Sequence, residues 1–212
     1  MKKKIKIGII DCDFGNIASL INAIKYLNFQ YKILKSPENL SEISHLVLPG
    51  VGSFNEAAKK LRNQGWPKVI KQFVSESKPF MGICLGMQLM FEYGLENGNE
   101  IGLGLFEGKC EQFSKKINIK IPHVGFNLVN YSTQESKIWD GISNNSAFYF
   151  IHSYRVLVKS KVTEKKTKIS ETVYGEKFIS FIEKEKIFGA QFHPEKSHKI
   201  GLKLLNNFIE KI

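Results

Sequence analysis

The sequence predicts an α/β protein of the flavodoxin-like kind, with a central, mostly parallel sheet flanked by helices and extra antiparallel strands in the second half. Three observations carry that prediction. From Ile5 to Tyr93, short apolar runs alternate with segments of helical periodicity. From Leu105 onward, strand-like runs follow one another with polar or glycine-containing breaks. Between the halves, Gly82-Ile83-Cys84-Leu85-Gly86 forms a Gly-x-Cys-x-Gly junction between an apolar strand and a helix-compatible run.

Ile5–Ile10 is the first strand, followed by the loop Asp11–Asn16. An amphipathic helix comes next, with Ile17, Leu20, Ile21, Ile24 and Leu27 at helical spacing. Tyr31–Leu34 reads as the second strand, and His45–Leu48 as a buried strand ending in Pro49-Gly50-Val51-Gly52. Helices are expected over Phe54–Leu61 and Pro67–Ser75, then the strand Pro79–Ile83, then a helix over Leu85–Tyr93. The later strands are expected at Leu105–Phe113, Ile119–Val129, Ala147–Val158, Ile169–Val173, Phe178–Glu183 and Lys186–Phe192. A terminal helix runs from Lys196 to Lys211 with Leu202, Leu205, Phe208 and Ile209 on one face. No repeat or linker divides residues 1–212, which read as one domain.

Composition narrows the function classes. Hydrophobic residues are 42% and charged residues 24% of the 212, as in soluble globular chains. No apolar run approaches the roughly 20 residues that span a bilayer. Met1–Lys4 is basic, but the apolar stretch behind it is broken by Lys6 and ends at Asp11, too short for a signal peptide. Three widely spaced cysteines argue against a disulfide framework and fit a cytoplasmic, reducing compartment. The net charge is +11, yet only Arg62 and Arg155 among the basic residues are arginine. Nucleic-acid surfaces favour the planar arginine fork, and no aromatic-basic motif accompanies the dispersed lysines. Nucleic acid is therefore not expected as a partner.

The chemistry concentrates in few residues. Cys84 lies on a strand-to-helix turn that lifts its side chain above the sheet, and its flanking glycines avoid clashes in that turn. His193-Pro194-Glu195 supplies a base and a carboxylate to orient it, completing the logic of a nucleophilic triad. Gly50, Val51 and Gly52 could present backbone N–H groups to an oxyanion. Gln88 lies one helical turn beyond Cys84, placed to touch a substrate or cap the turn. His152 and Ser153 end a strand and could offer backbone contacts. Cys12 and Cys110 lack the turn context and read as buried small hydrophobes. His45 and His123 have no metal-ligand spacing, so no metal is expected, and no cofactor signature is present. The Pro49–Gly52 loop lacks the Lys and Ser/Thr of a phosphate-binding loop.

With these residues in view, the chain resembles the class I, triad-type glutamine amidotransferases over essentially its whole length. Within them it is similar to the glutaminase subunits of imidazole glycerol phosphate synthases. The resemblance rests on Ile9-Ile10-Asp11 with Gly15-Asn16, on Leu48–Phe54, on Met81–Gln88, on Pro122–Gly125, on Tyr149–Tyr154 and on Gln191–Ser197. Met87 and the Pro-Gly-Val-Gly-Ser-Phe run carry the narrower match. The resemblance implies that Cys84 attacks the carboxamide of L-glutamine, His193 relays protons and Glu195 orients it. It places the oxyanion hole near Gly52 and Leu85, and the substrate near Gly50, Gly52, Gln88, His152 and Ser153. It implies a heterodimer with a (β/α)8 cyclase subunit that receives the ammonia, with Asn16, His123, Gly125, Phe126, Tyr154 and Arg155 near the interface or switch. It also implies low activity until the partner binds its ligand, the Pro49–Gly52 strand being the candidate switch.

Phe126 and Arg155 depart from the family pattern and keep a second partner open: glutaminase paralogues that feed ammonia to surface-sugar amidotransferases. A non-catalytic binding module on the same fold and a cysteine hydrolase of other substrates are further readings. The intact triad disfavours the former, and the Met87-Gln88 and Pro-Gly-Val-Gly context disfavours the latter.

Overall fold

The computed structural model describes residues 5–15, 17–37, 40–114, 118–131, 136–158 and 167–212. The chain begins with β1 (Lys6–Ile10), α1 (Ala18–Tyr26), β2 (Gln30–Leu34), β3 (His45–Gly50), α2 (Phe54–Asn63), α3 (Trp66–Ser75) and β4 (Phe80–Cys84). All five residues of β4 are buried, as expected of a central strand covered on both faces. Then follow α4 (Leu85–Leu89), β5 (Phe91–Gly94), β6 (Glu100–Ile101), β7 (Phe106–Gln112), β8 (His123–Tyr131), β9 (Ser146–His152) and β10 (Tyr154–Val158). The chain closes with β11 (Thr167–Tyr174), β12 (Glu176–Lys184), β13 (Ile187–Ala190), a 3-10 turn at Pro194–Lys196 and α5 (His198–Lys211).

Nine strands form one sheet in the order β2-β1-β3-β4-β13-β12-β11-β8-β9. The pairs from β2 to β13 are parallel, and those from β13 to β9 are antiparallel. Alternate residues feed two apolar clusters. Leu46, Leu48 and Phe80 belong to one, and Val47, Met81 and Ile83 to the other, the period-2 signature of a strand.

Three sequence expectations change. The helix expected over Leu85–Tyr93 stops at Leu89, and Phe91–Gly94 becomes β5, paired with Phe106–Cys110 of β7. Helix propensity yields there to a ladder and to Phe91 packing on Phe106, with ring centroids 5.6 Å apart. The single run Ala147–Val158 is two strands. β9 ends at His152 in the nine-stranded sheet, and β10 starts at Tyr154 in a separate four-stranded sheet, β10-β7-β5-β6. That second sheet replaces the expectation that all the later strands simply extend the first. The strand expected from Ile119 begins at His123.

The parallel order brings chemistry together. β3, β4 and β13 are neighbours, with Gly50 in register with Cys84 and Ala190 with Ile83. Their carboxyl ends therefore deliver Gly50–Gly52, Cys84 and His193 to one edge, where ligands bind in open α/β sheets.

Candidate active site

Cys84 ends β4 and precedes α4 with φ 55° and ψ −110°, outside the regions ordinary side chains occupy. Such strain, worth about 1–3 kcal/mol, persists only where surroundings enforce it. The enforcement is visible at Gly86, where an added Cβ would lie 2.9 Å from the carbonyl carbon of Leu48 and nearer still to its oxygen. The Cys84 side chain is 4% exposed. Its Sγ donates to the Ile151 carbonyl at 3.7 Å and accepts from Gln191 Nε2 at 3.7 Å.

His193 and Glu195 flank Pro194 in the turn after β13. His193 Nδ1 lies 2.7 Å from Glu195 Oε1, and both side chains are almost wholly buried. Among the described residues His193 Nε2 makes no hydrogen bond, leaving it available to a reacting group. Burial of the ring opposes its charge, but the Cys84 sulfur and the Glu195 carboxylate outweigh that and push its pKa from 6.5 to about 10. A proton is thus held on the imidazole near neutral pH. The turn is tied to β9: His193 N donates to Tyr149 O at 2.8 Å, Tyr149 N to Ser197 Oγ at 2.9 Å, and Ser197 Oγ to His193 O at 2.6 Å.

A cavity of about 230 Å³ opens beside Cys84, below the range typical of drug-sized ligands. Val51, Gly52, Leu85, Gln88, His152 and Ser153 line it, all anticipated from the sequence, together with Glu96, Pro122, Ile151 and Tyr154. Gly50 lies beneath, buried against Leu85 and Phe14. The Val51 N–H donates to Phe14 O at 3.3 Å, so that amide is engaged away from the cavity. Gly52 has φ 107°, a left-handed backbone that favours glycine, and a Cβ built on it would meet nothing within 4 Å.

Sequence reasoning passed over two residues here. Glu96 sits in the loop after β5, its Oε2 accepting from the Phe54 N–H at 2.6 Å, and it brings a carboxylate to the cavity wall. Gln191 is 0% exposed beside Cys84. A loop glutamate gave no signal, whereas Gln191 was legible as the one polar residue in an otherwise apolar strand end.

The expected interface residues divide. Phe126 is 49% exposed, its ring stacked on His198 at 5.1 Å. Gly125 precedes it with φ 130°. His123, by contrast, is 3% exposed and lies behind His152, with Nδ1 3.1 Å from His152 Nε2. Arg155 is also buried. Its Nε donates to Glu176 at 2.8 Å and its Nη1 to Glu111 at 3.4 Å, while its guanidinium covers Phe113. Both side chains are engaged inside the chain rather than exposed at its surface. Tyr154 lines the cavity through β10, and Asn16 lies outside the described residues. Cys12 and Cys110 are buried and free; burial pushes the Cys12 pKa up to about 12 and that of Cys110 well above its ordinary value. Among the described residues no three His, Cys, Asp or Glu side chains group as a metal site needs.

The family model for glutamine amidotransferase class-I matches residues 8–212. The chain belongs to the class I glutamine amidotransferases. It is 43% identical over 203 residues to "Imidazole glycerol phosphate synthase subunit HisH 1" of Campylobacter jejuni subsp. jejuni serotype O:23/36 (strain 81-176), covering 95% of this chain and 98% of that one. It is 40% identical over 204 residues to the "subunit HisH" of Aquifex aeolicus (strain VF5), covering 96% and 95%. Among solved structures the fold is similar to PurLQS from Thermotoga maritima, with a TM-score of 0.77 at 16% identity, covering 98% and 99% of the two chains. It is also similar to a glutamine amidotransferase from Thermotoga maritima, with a TM-score of 0.63 at 16% identity, covering 98% and 82%. The cysteine edge just described is this chain's candidate site.

Proposed function

We propose that the chain is the glutaminase subunit of an imidazole glycerol phosphate synthase. It hydrolyses glutamine to glutamate and ammonia and passes the ammonia to a separate (β/α)8 cyclase subunit. The observation that carries the reading is the strained Cys84 above β4 beside the His193–Glu195 pair, in a chain about 40% identical to HisH subunits.

The chemistry runs from that geometry. Cys84 sulfur, as thiolate, attacks the glutamine side-chain carbonyl carbon. The developing oxyanion is met by the Leu85 N–H, which has no intrahelical acceptor at the start of α4. His193 Nε2 gives its proton to the departing amine, releasing ammonia and leaving a Cys84 thioester. Neutral His193 then takes a proton from water, which attacks the thioester and frees glutamate. Glu195 holds the ring through Nδ1 throughout. Glu96 offers a carboxylate to the substrate's α-ammonium group.

The second oxyanion donor is the switch. The Val51 N–H now faces Phe14 O, and turning that peptide toward the cavity completes the hole. Val124, Phe126, Leu128 and Ile151 are exposed apolar residues on β8 and β9, Ile151 also lining the cavity, and this is where the cyclase subunit docks and biases the switch.

The test is glutamine-dependent formation of imidazole glycerol phosphate by this chain mixed with its cognate cyclase and the ribulosyl nucleotide substrate. Product that disappears with Cys84→Ala, while ammonia-dependent synthesis persists, supports the reading. No product from glutamine, with the cyclase active on free ammonia, refutes it in favour of the surface-sugar paralogue.

A further inference from the structure

Cys84 has a neighbour that the triad leaves unused. Gln191, the residue after β13, is fully buried and places Nε2 3.7 Å from the Cys84 sulfur. Whether that end is nitrogen or oxygen decides what it does, and the surrounding groups settle the matter.

The reference point is the Tyr154 carbonyl, which can only accept. It receives His152 Nδ1 at 2.7 Å and Gln88 at 3.0 Å. The Gln88 atom facing it is therefore Nε2. The second hydrogen of that nitrogen goes to Gln191 at 3.1 Å, so the Gln191 atom receiving it is Oε1. Its other end, at the sulfur, must be the N–H donor. The imidazoles agree. With Nδ1 donating, neutral His152 must accept at Nε2, from His123 Nδ1 at 3.1 Å. His123 Nε2 then accepts from Asn127 Nδ2 at 3.4 Å, and Asn127 Oδ1 from the Leu128 N–H at 2.8 Å. Burial keeps both rings neutral, with pKa values lowered to about 3 for His152 and about 4 for His123. Every donor meets an acceptor from Leu128 to Cys84.

We propose that Gln191 is a further catalytic residue, its side-chain N–H donating to the Cys84 sulfur and favouring the thiolate, and that Gln88, anchored on the Tyr154 carbonyl, holds the amide in that sense. The inference rests on Cys84 being the nucleophile. An N–H directed at sulfur stabilises the anion more than the neutral thiol. The other titratable groups around Cys84 are His193 from the turn after β13, His152 from β9, Cys110 from β7 and Glu96 in the cavity wall, and none is altered by changing Gln191.

The test is the pH profile of Cys84 alkylation by iodoacetamide, read by mass spectrometry of the Cys84 peptide. Gln191→Met, which keeps the length and removes the donor, moves the midpoint upward by about one pH unit. Gln191→Glu, which sets a carboxylate against the sulfur, moves it further. A merely structural role lowers melting temperature and leaves the midpoint in place; that result in folded variants overturns the proposal. If neither variant folds, Gln88→Met decides. Freed of its partner, the Gln191 amide loses its fixed sense and the midpoint rises, whereas an unchanged midpoint overturns the proposal. Alkylation needs no glutamine. A shifted midpoint in a chain that turns over no glutamine leaves the donor assignment standing and removes only the glutaminase reading.

Discussion

Gly201→Ala separates local propensity from tertiary packing. Gly201 lies inside α5, where replacing glycine by alanine ordinarily gains about 1 kcal/mol. The structure reverses the sign. A Cβ there would sit 2.7 Å from the Pro194 carbonyl carbon, nearer still to its oxygen, and 2.8 Å from Ser197 Cβ. These are backbone and first-carbon atoms that no side-chain rotation removes, so the clash falls at the upper end for overpacking, about 3 kcal/mol. The net loss is about 2 kcal/mol, which for a chain of this size lowers the melting temperature by about 4–8 °C. The displaced atoms belong to the turn carrying His193 and Glu195, which hydrogen bonds tie to β9. Moving the base by about 1 Å costs roughly a hundredfold in turnover. The assay is thermal melting by circular dichroism beside glutaminase kinetics with the partner present. A variant that melts at or above wild type refutes the reasoning, because propensity would then have won.

Other outcomes follow from the same geometry. His193→Ala lowers kcat on the order of 10⁶-fold and Glu195→Gln by roughly 10⁴-fold, because one moves protons and the other orients; equal losses would contradict those roles. His45 and His123 are buried, and burial lowers both pKa values from 6.5 to about 4. The folded chain therefore binds fewer protons than the unfolded one, so their stability is full above pH 6.5 and drains as pH falls toward 4. The loss is about 2 kcal/mol per histidine at pH 5, and His45→Phe, measured by urea melts at pH 7 and pH 5, shrinks the difference. Arg155→Met costs about 2 kcal/mol, since Glu111 and Glu176 keep some access to water; titration calorimetry with the cyclase then shows unchanged affinity.

The first half of the fold was legible because each element carries its own period. Ile17, Leu20, Ile21 and Ile24 mark one face of α1, and the wholly apolar β4 marks a strand buried on both sides. The second half hid two features that local sequence does not encode. Ala147–Val158 is mostly apolar, and the His152-Ser153 pair alone does not betray a chain leaving one sheet for another. Leu85–Tyr93 fits a helix, and only the partner strand β7 turns Phe91–Gly94 into a ladder. The neighbours Cys84, His193 and Glu195 and most of the cavity lining stood out in the sequence because cysteine, histidine and glycine in turns have few other reasons to cluster. The burial of His123 and Arg155 was not legible, because only the fold supplies the two carboxylates that pair the guanidinium and the partners that fix the ring.

The break at Ser153 has a mechanical meaning. Cys84 and His193 hang from adjacent parallel strands of one sheet, so the distance between them is a stiff coordinate. The facing cavity wall crosses from β9 to β10 at a residue belonging to neither ladder. At that residue the two sheets are joined by no ladder hydrogen bond but by side-chain ties, Gln88 to the Tyr154 carbonyl and Arg155 to Glu176. β9 is bonded to the His193 turn and to the Cys84 sulfur, so it moves with the reacting pair, whereas the wall beyond Ser153 belongs to the other sheet.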